Sequence, residues 1–94
     1  MQAKSIYKVP DGKLLKINIT YDKKNKSIDR IKIMGDFFAY PEESIDIIEK
    51  KLQKTTISKS CLTKRIDQII NENNIQFIGL DLESLVNGIM MCLK

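Results

Sequence analysis

The chain has 94 residues, of which 43% are hydrophobic and 30% charged, with a net charge of +4. That length predicts one domain, residues 1–94, with one core, and the composition excludes charge-rich disorder. The absence of histidine removes the commonest metal ligand and general base, and with it every Ser-His or Cys-His nucleophilic arrangement.

Residues 5–9 read as a short strand, and Pro10-Asp11-Gly12 as the turn after it, because Pro pre-sets φ, Asp bonds nearby amides and Gly accepts φ > 0. Over residues 13–21 apolar and polar side chains alternate. Leu15, Ile17, Ile19 and Tyr21 fall on one face, Lys16, Asn18 and Thr20 on the other, which is the period of a half-buried strand. A polar turn at residues 22–26 leads into a third strand, 28–34, with Ile31 and Ile33 opposed to Arg30 and Lys32. These three make an antiparallel meander with one apolar face.

Beyond Gly35 the period becomes helical. Pro41 suits a first helical position, Glu42 and Glu43 suit the positive end of the helix dipole, and Ile45, Ile48 and Leu52 share a face, so a helix is predicted to about Gln53. A second helix carries Leu62, Ile66, Ile69 and Ile70 and ends in the Asn-rich residues 71–74. Residues 75–79 read as a short buried connector or strand, and Asp81 as the cap of a last helix with Leu82, Leu85, Ile89 and Leu93 on one face. The fold class is therefore α+β: a three-stranded antiparallel meander covered on one face by about three helices, in a single two-layer domain.

Three local features invite chemistry. Lys13, beside Gly12, can present an ammonium to a phosphate or carboxylate, but the Walker spacing is missing and a solvated hairpin is the simpler reading. Gly35-Asp36-Phe37-Phe38 ends the third strand. Adjacent Phe rings in extended chain point opposite ways, so either both anchor a corner of the core or one meets a partner. Cys61 and Cys92 form no Cys-x-x-Cys pair and read as reduced thiols, more plausibly small buried hydrophobes than reactive groups. The N-terminus carries no apolar stretch, and no segment approaches the roughly 20 apolar residues of a membrane span, so the expected location is the cytoplasm.

The combination of Lys8-Val9-Pro10-Asp11-Gly12-Lys13-Leu14, an alternating strand, Ile31-Lys32-Ile33-Met34-Gly35-Asp36-Phe37-Phe38 and a following helix resembles the C-terminal accessory domain of lipoate-protein ligases. The likeness continues through Ile48-Glu49-Lys50-Lys51-Leu52 and Ile78-Gly79-Leu80-Asp81-Leu82-Glu83-Ser84-Leu85, and so spans essentially the whole chain in order. One difference lies after Leu52, where a Gly common in the family is replaced by Gln53-Lys54.

The resemblance implies a non-catalytic accessory subunit of a bipartite ligase, forming a heterodimer with a catalytic subunit that binds lipoate, ATP and Mg. The accessory part would enable lipoyl-AMP formation, the first step of protein lipoylation, and binds no cofactor alone. On this reading Lys13 is the candidate to approach substrate or phosphate, and Gly12, Gly35, Asp36, Phe37 and Phe38 are candidates for the partner interface. The mild basicity adds acidic lipoyl-acceptor domains as further partners. A small RNA-binding module and a sulfur-transfer or iron-sulfur scaffold are the competing readings. The first lacks an RNP-type aromatic motif or a Gly-x-x-Gly clamp, and neither nucleic acid nor membrane is the expected partner.

Overall fold

The computed structural model of the chain describes residues 1–10 and 13–93. The alternation in the sequence becomes three antiparallel strands, β1 (Gln2–Lys8), β2 (Leu14–Asp22) and β3 (Ser27–Gly35), hydrogen-bonded in that order. Leu15, Ile17 and Ile19 are buried with Ile31 and Ile33, while Lys16, Asn18, Arg30 and Lys32 stand on the opposite, exposed face. Each such fully buried aliphatic side chain contributes roughly 1.5–3 kcal/mol relative to exposure. β1 begins at Gln2 and not at residue 5, because Gln2 and Ala3 find partners in Thr20 and Ile19 of the longer β2. A bulge between Thr20 and Tyr21 bends the sheet at that end.

The outer edge of β3 is protected. The Ile33 amide donates to Glu49 Oε2 at 2.7 Å, the Ile28 amide to the Thr55 carbonyl at 2.9 Å, and the Ile57 amide to the Lys26 carbonyl at 2.7 Å. Side chain and loop thus occupy groups that would otherwise template another strand. The turn carrying the Gln53-Lys54 difference forms through Lys54 itself, which adopts φ +66° and donates its amide to the Ile28 carbonyl at 2.6 Å.

Three helices cover the apolar face: α1 (Ser44–Lys51), α2 (Lys59–Asn73) and α3 (Leu82–Met91). α3 lies over β1 and β2, α1 over β3, and α2 packs on both helices. A Cβ on Gly88 of α3 would lie 3.0 Å from both Ile17 Cδ1 and Leu15 Cδ2, so the glycine sets how closely helix and sheet approach. Asp81 caps α3 as expected, its Oδ1 accepting the Ser84 amide at 2.7 Å, and Ser58 caps α2 by accepting the Cys61 amide at 3.2 Å. Asn74 ends α2 in the left-handed conformation.

Two features depart from the sequence expectation. Residues 38–40 are not the approach to a helix but a short strand, β4 (Phe38–Tyr40), paired antiparallel with β5 (Gln76–Ile78) in a separate two-stranded ribbon. Pro41 accordingly does not open α1. It follows β4 through a cis Tyr40–Pro41 peptide, its carbonyl accepts the Ser44 amide at 2.9 Å, and the helix starts at Ser44. The order is thus meander, β4, two helices, β5 and a last helix.

The cysteines also separate. Cys92 is buried, its thiol 3.4 Å from Ser5 Oγ, and burial pushes its pKa up while the Ser5 hydrogen bond pulls the other way. Cys61 is exposed at the start of α2, so the expectation of a buried hydrophobe holds for Cys92 and fails for Cys61. A maleimide is therefore expected to modify one thiol per native chain rapidly and the second only under denaturing conditions; mass spectrometry finding Cys92 labelled first would contradict this packing.

Candidate functional site

The residues singled out in the sequence come from the β1–β2 turn and the exit of β3, which the sheet brings side by side. Val9 donates its amide to the Lys13 carbonyl at 2.8 Å across the β1–β2 turn, whose Asp11 and Gly12 lie outside the described residues. Gly12, as an interface candidate, is therefore not placed. Next to Lys13, the Leu14 carbonyl accepts the Asp36 amide at 3.1 Å, and Leu15 pairs with Gly35. This ladder continuation fixes Lys13, Gly35 and Asp36 in one corner.

Gly35 is required there by close approach. A Cβ at this position would collide with the Leu14 carbonyl oxygen and lie 2.9 Å from Cε1 of the Phe37 ring. Phe37 therefore folds back over the glycine and packs on the core, half-buried. Phe38, one residue on, points away and is 67% exposed. The reading in which both rings anchor the core fails: Phe37 anchors the corner and Phe38 faces solvent.

The ribbon then adds residues that the sequence pattern did not flag. Phe38 stands opposite Ile78 and Tyr40 opposite Gln76, while Phe77 packs inward on the core opposite a half-buried Ala39. Phe38, Tyr40 and Ile78 share the outer face, at 67%, 50% and 57% exposure. Cross-strand partners lie about 5 Å apart at Cβ, so these side chains form a contiguous apolar surface and not scattered exposure. Gly79 completes the corner with φ +82°. Its Cβ direction points at the Lys13 stem, 3.5 Å from Cγ and 3.6 Å from Cε, and lies 3.6 Å from the Asp36 carbonyl oxygen. The aliphatic part of Lys13 thus crosses the glycine beside the apolar ribbon.

This arrangement is suited to holding another protein: an aromatic-rich apolar face with a cationic side chain and polar backbone at its rim. Among the described residues, no three His, Cys, Asp or Glu side chains gather as a metal cluster, and no helix is long and apolar enough to cross a membrane. The signal for Tyr40 and Ile78 was present in the sequence only as two three-residue runs: Gln76-Phe77-Ile78 falls within the expected connector or strand at residues 75–79, whereas Phe38-Ala39-Tyr40 is too short to register as a strand before it is paired.

The family described as bacterial lipoate protein ligase C-terminus matches this chain over residues 12–89. Among solved structures, a chain from an archaeal lipoylation system, a bi-partite lipoate protein ligase and its E2 lipoyl domain from Thermoplasma acidophilum, superimposes with a TM-score of 0.80 at 26% identity, covering 95% of this chain and 94% of that chain. No curated protein is detectably similar in sequence. The matched span takes in Lys13, the whole Gly35–Phe38 corner, both strands of the ribbon and most of α3, leaving β1 and the end of α3 outside it, and the chain belongs to the lipoate protein ligase C-terminal family.

Proposed function

We propose that this protein is the accessory subunit of a bipartite lipoate-protein ligase, docking on a separate catalytic chain and enabling that chain to form lipoyl-AMP from lipoate and ATP. The observation that carries the reading is the exposed apolar face of Phe38, Tyr40 and Ile78, built on a fold that matches a chain of a bi-partite ligase along nearly its whole length. An apolar patch of this kind is covered when the molecule is at work.

In this reading lipoate, ATP and Mg are held by the catalytic chain, and the present chain supplies surface and positioning. Phe38, Tyr40 and Ile78 form the centre of the contact, and Gly35 and Asp36 give it a rigid rim through the hydrogen bond to Leu14. Lys13 brings positive charge to the edge of that contact, where it can face the phosphates of a nucleotide held by the partner. Docking would hold the partner's mobile loops in the arrangement that adenylation requires.

The test is lipoate-dependent ATP–pyrophosphate exchange by the catalytic ligase chain of the same organism, with and without an equimolar amount of this protein. Exchange is expected only, or at least tenfold faster, when both chains are present, together with a 1:1 complex on gel filtration. Equal exchange without this chain and no complex would overturn the reading.

A further inference from the structure

The open face of the three-stranded sheet is a second surface, chemically unlike the ribbon. Lys4, Lys8, Lys16, Arg30 and Lys32 all project from it, because they occupy alternate positions in register across β1, β2 and β3. Lys4, Asn18 and Lys32 form one cross-strand row, and Ile6, Lys16 and Met34 the next. The remaining rows on this face are Gln2, Thr20 and Arg30 at one end and Lys8 and Leu14 at the other, so no carboxylate stands between the five cations. Among the described residues carboxylates adjoin it at the margins: Asp22 and Asp29 at the bulged end, where Asp22 is engaged by the Lys24 amide and the Asn25 side chain, Asp36 at the corner, and Asp46 and Glu49 of α1 beyond the β3 edge. Glu49 is turned to the Ile33 amide. The end near Gln2, Lys4, Arg30 and Lys32 is a shallow depression.

Helices cover the opposite side of the sheet and leave this one unpartnered. Four of its five charges are lysines on flexible stems, which attract over a distance but hold loosely, and their attraction is screened within about 8–10 Å at ordinary salt. That is the chemistry of a partner that arrives quickly and must leave. No aromatic side chain stands on the face to stack a nucleic-acid base, which favours a folded acidic protein over a single-stranded nucleic acid.

We propose that this sheet face is the electrostatic docking surface for the acidic side of a lipoyl-acceptor domain, which the complex must bind and release at every transfer. The inference rests on the accessory-subunit reading and divides the molecule: the apolar ribbon holds the permanent partner, the lysine face the transient one.

The experiment is a titration of the ¹⁵N-labelled chain, bound to its catalytic chain, with the lipoyl-acceptor domain of the same organism. Two triple variants accompany it, Lys4→Glu/Lys16→Glu/Lys32→Glu and the milder Lys4→Gln/Lys16→Gln/Lys32→Gln. Amide shifts are expected on β1–β3 at low salt and are expected to vanish near 0.5 M NaCl. The charge-reversed variant should bind the acceptor at least tenfold more weakly, and the neutral variant should fall between. Shifts elsewhere, no shifts, or unchanged affinity in both variants would overturn the proposal, as would tighter binding of an RNA homopolymer than of the acceptor. Gel filtration with the catalytic chain separates the two readings. A triple variant that no longer forms the complex would make this face part of the permanent interface, ending this inference while sparing the accessory-subunit role; wild-type chains that fail to form a complex would end the latter.

Discussion

Phe38→Ala is expected to weaken the complex with the catalytic chain by about 30-fold or more, the ~2 kcal/mol typical of an aromatic residue at an interface centre. The isolated chain should be almost indifferent to the change, since 67% of the residue is already in water and the ring rests only on the ribbon's outer face. A melting temperature within ~3 °C of the parent is expected, because surface substitutions of this kind alter stability by about 0.5 kcal/mol or less. Phe37→Ala provides the contrast. Its ring packs on the core and against Gly35, so its loss should lower the melting temperature first and affect binding mainly through the folded fraction. Isothermal titration calorimetry on the two variants separates the roles; a dissociation constant for Phe38→Ala within threefold of the parent would move the interface off the ribbon.

What the sequence made legible divides by the range of the interaction responsible. β2 shows in its alternation because Leu15, Ile17 and Ile19 each meet the same environment, a helix-covered core, so the pattern repeats often enough to be read. Asp81 acts within three residues of itself, and local chemistry of that kind is readable in the chain; Ser58 caps α2 in the same way but was not singled out. β4 and β5 are different. Each is three residues long, they are separated by two helices, and neither buries a full face, so nothing local distinguishes Phe38-Ala39-Tyr40 from a helix approach until Phe77 and Ile78 arrive across from it. The misplacement of Pro41 follows from the same cause: a proline suits both a helix start and the end of a strand, and the strand decided.

The candidate site was legible in part for a related reason. Gly35 and the Phe pair were visible as a cluster of unusual residue types, and extended chain implies opposite directions for adjacent rings, but that Phe37 is the inward one is set by its fold over Gly35. Tyr40, Ile78 and Gly79 reach the same corner only through long-range pairing. The lysine face was likewise hidden in a modest net charge of +4, because among the described residues the carboxylates that offset it lie at the margins of the open face, on helices and in loops. Overall charge averages over surfaces that partners meet one at a time.

Gly35→Ala is expected to be the most damaging single-methyl change in the corner, costing about 2–4 kcal/mol, the range in which strain and backbone displacement place a substitution. The added Cβ meets a carbonyl oxygen, Leu14 O, and the Phe37 ring together. A flexible side-chain end could give way, but Leu14 O is held in the strand ladder and accepts the Asp36 amide at 3.1 Å, so moving it forfeits a hydrogen bond worth about 1 kcal/mol. Displacing Phe37 instead removes an anchor from the core. Gly79→Ala tests whether conformation or contact is the larger effect. Its φ of +82° disfavours any side chain by about 1–2 kcal/mol, yet its nearest neighbours leave ordinary van der Waals room at 3.5–3.6 Å. The expected order in thermal denaturation is therefore parent, then Gly79→Ala, then Gly35→Ala, with the last lowered by roughly 10–20 °C for a domain of this size. If Gly35→Ala melts with or above Gly79→Ala, the close approach of β2 and β3 at this corner is wrong, and with it the rigid rim that positions Phe38 for its partner.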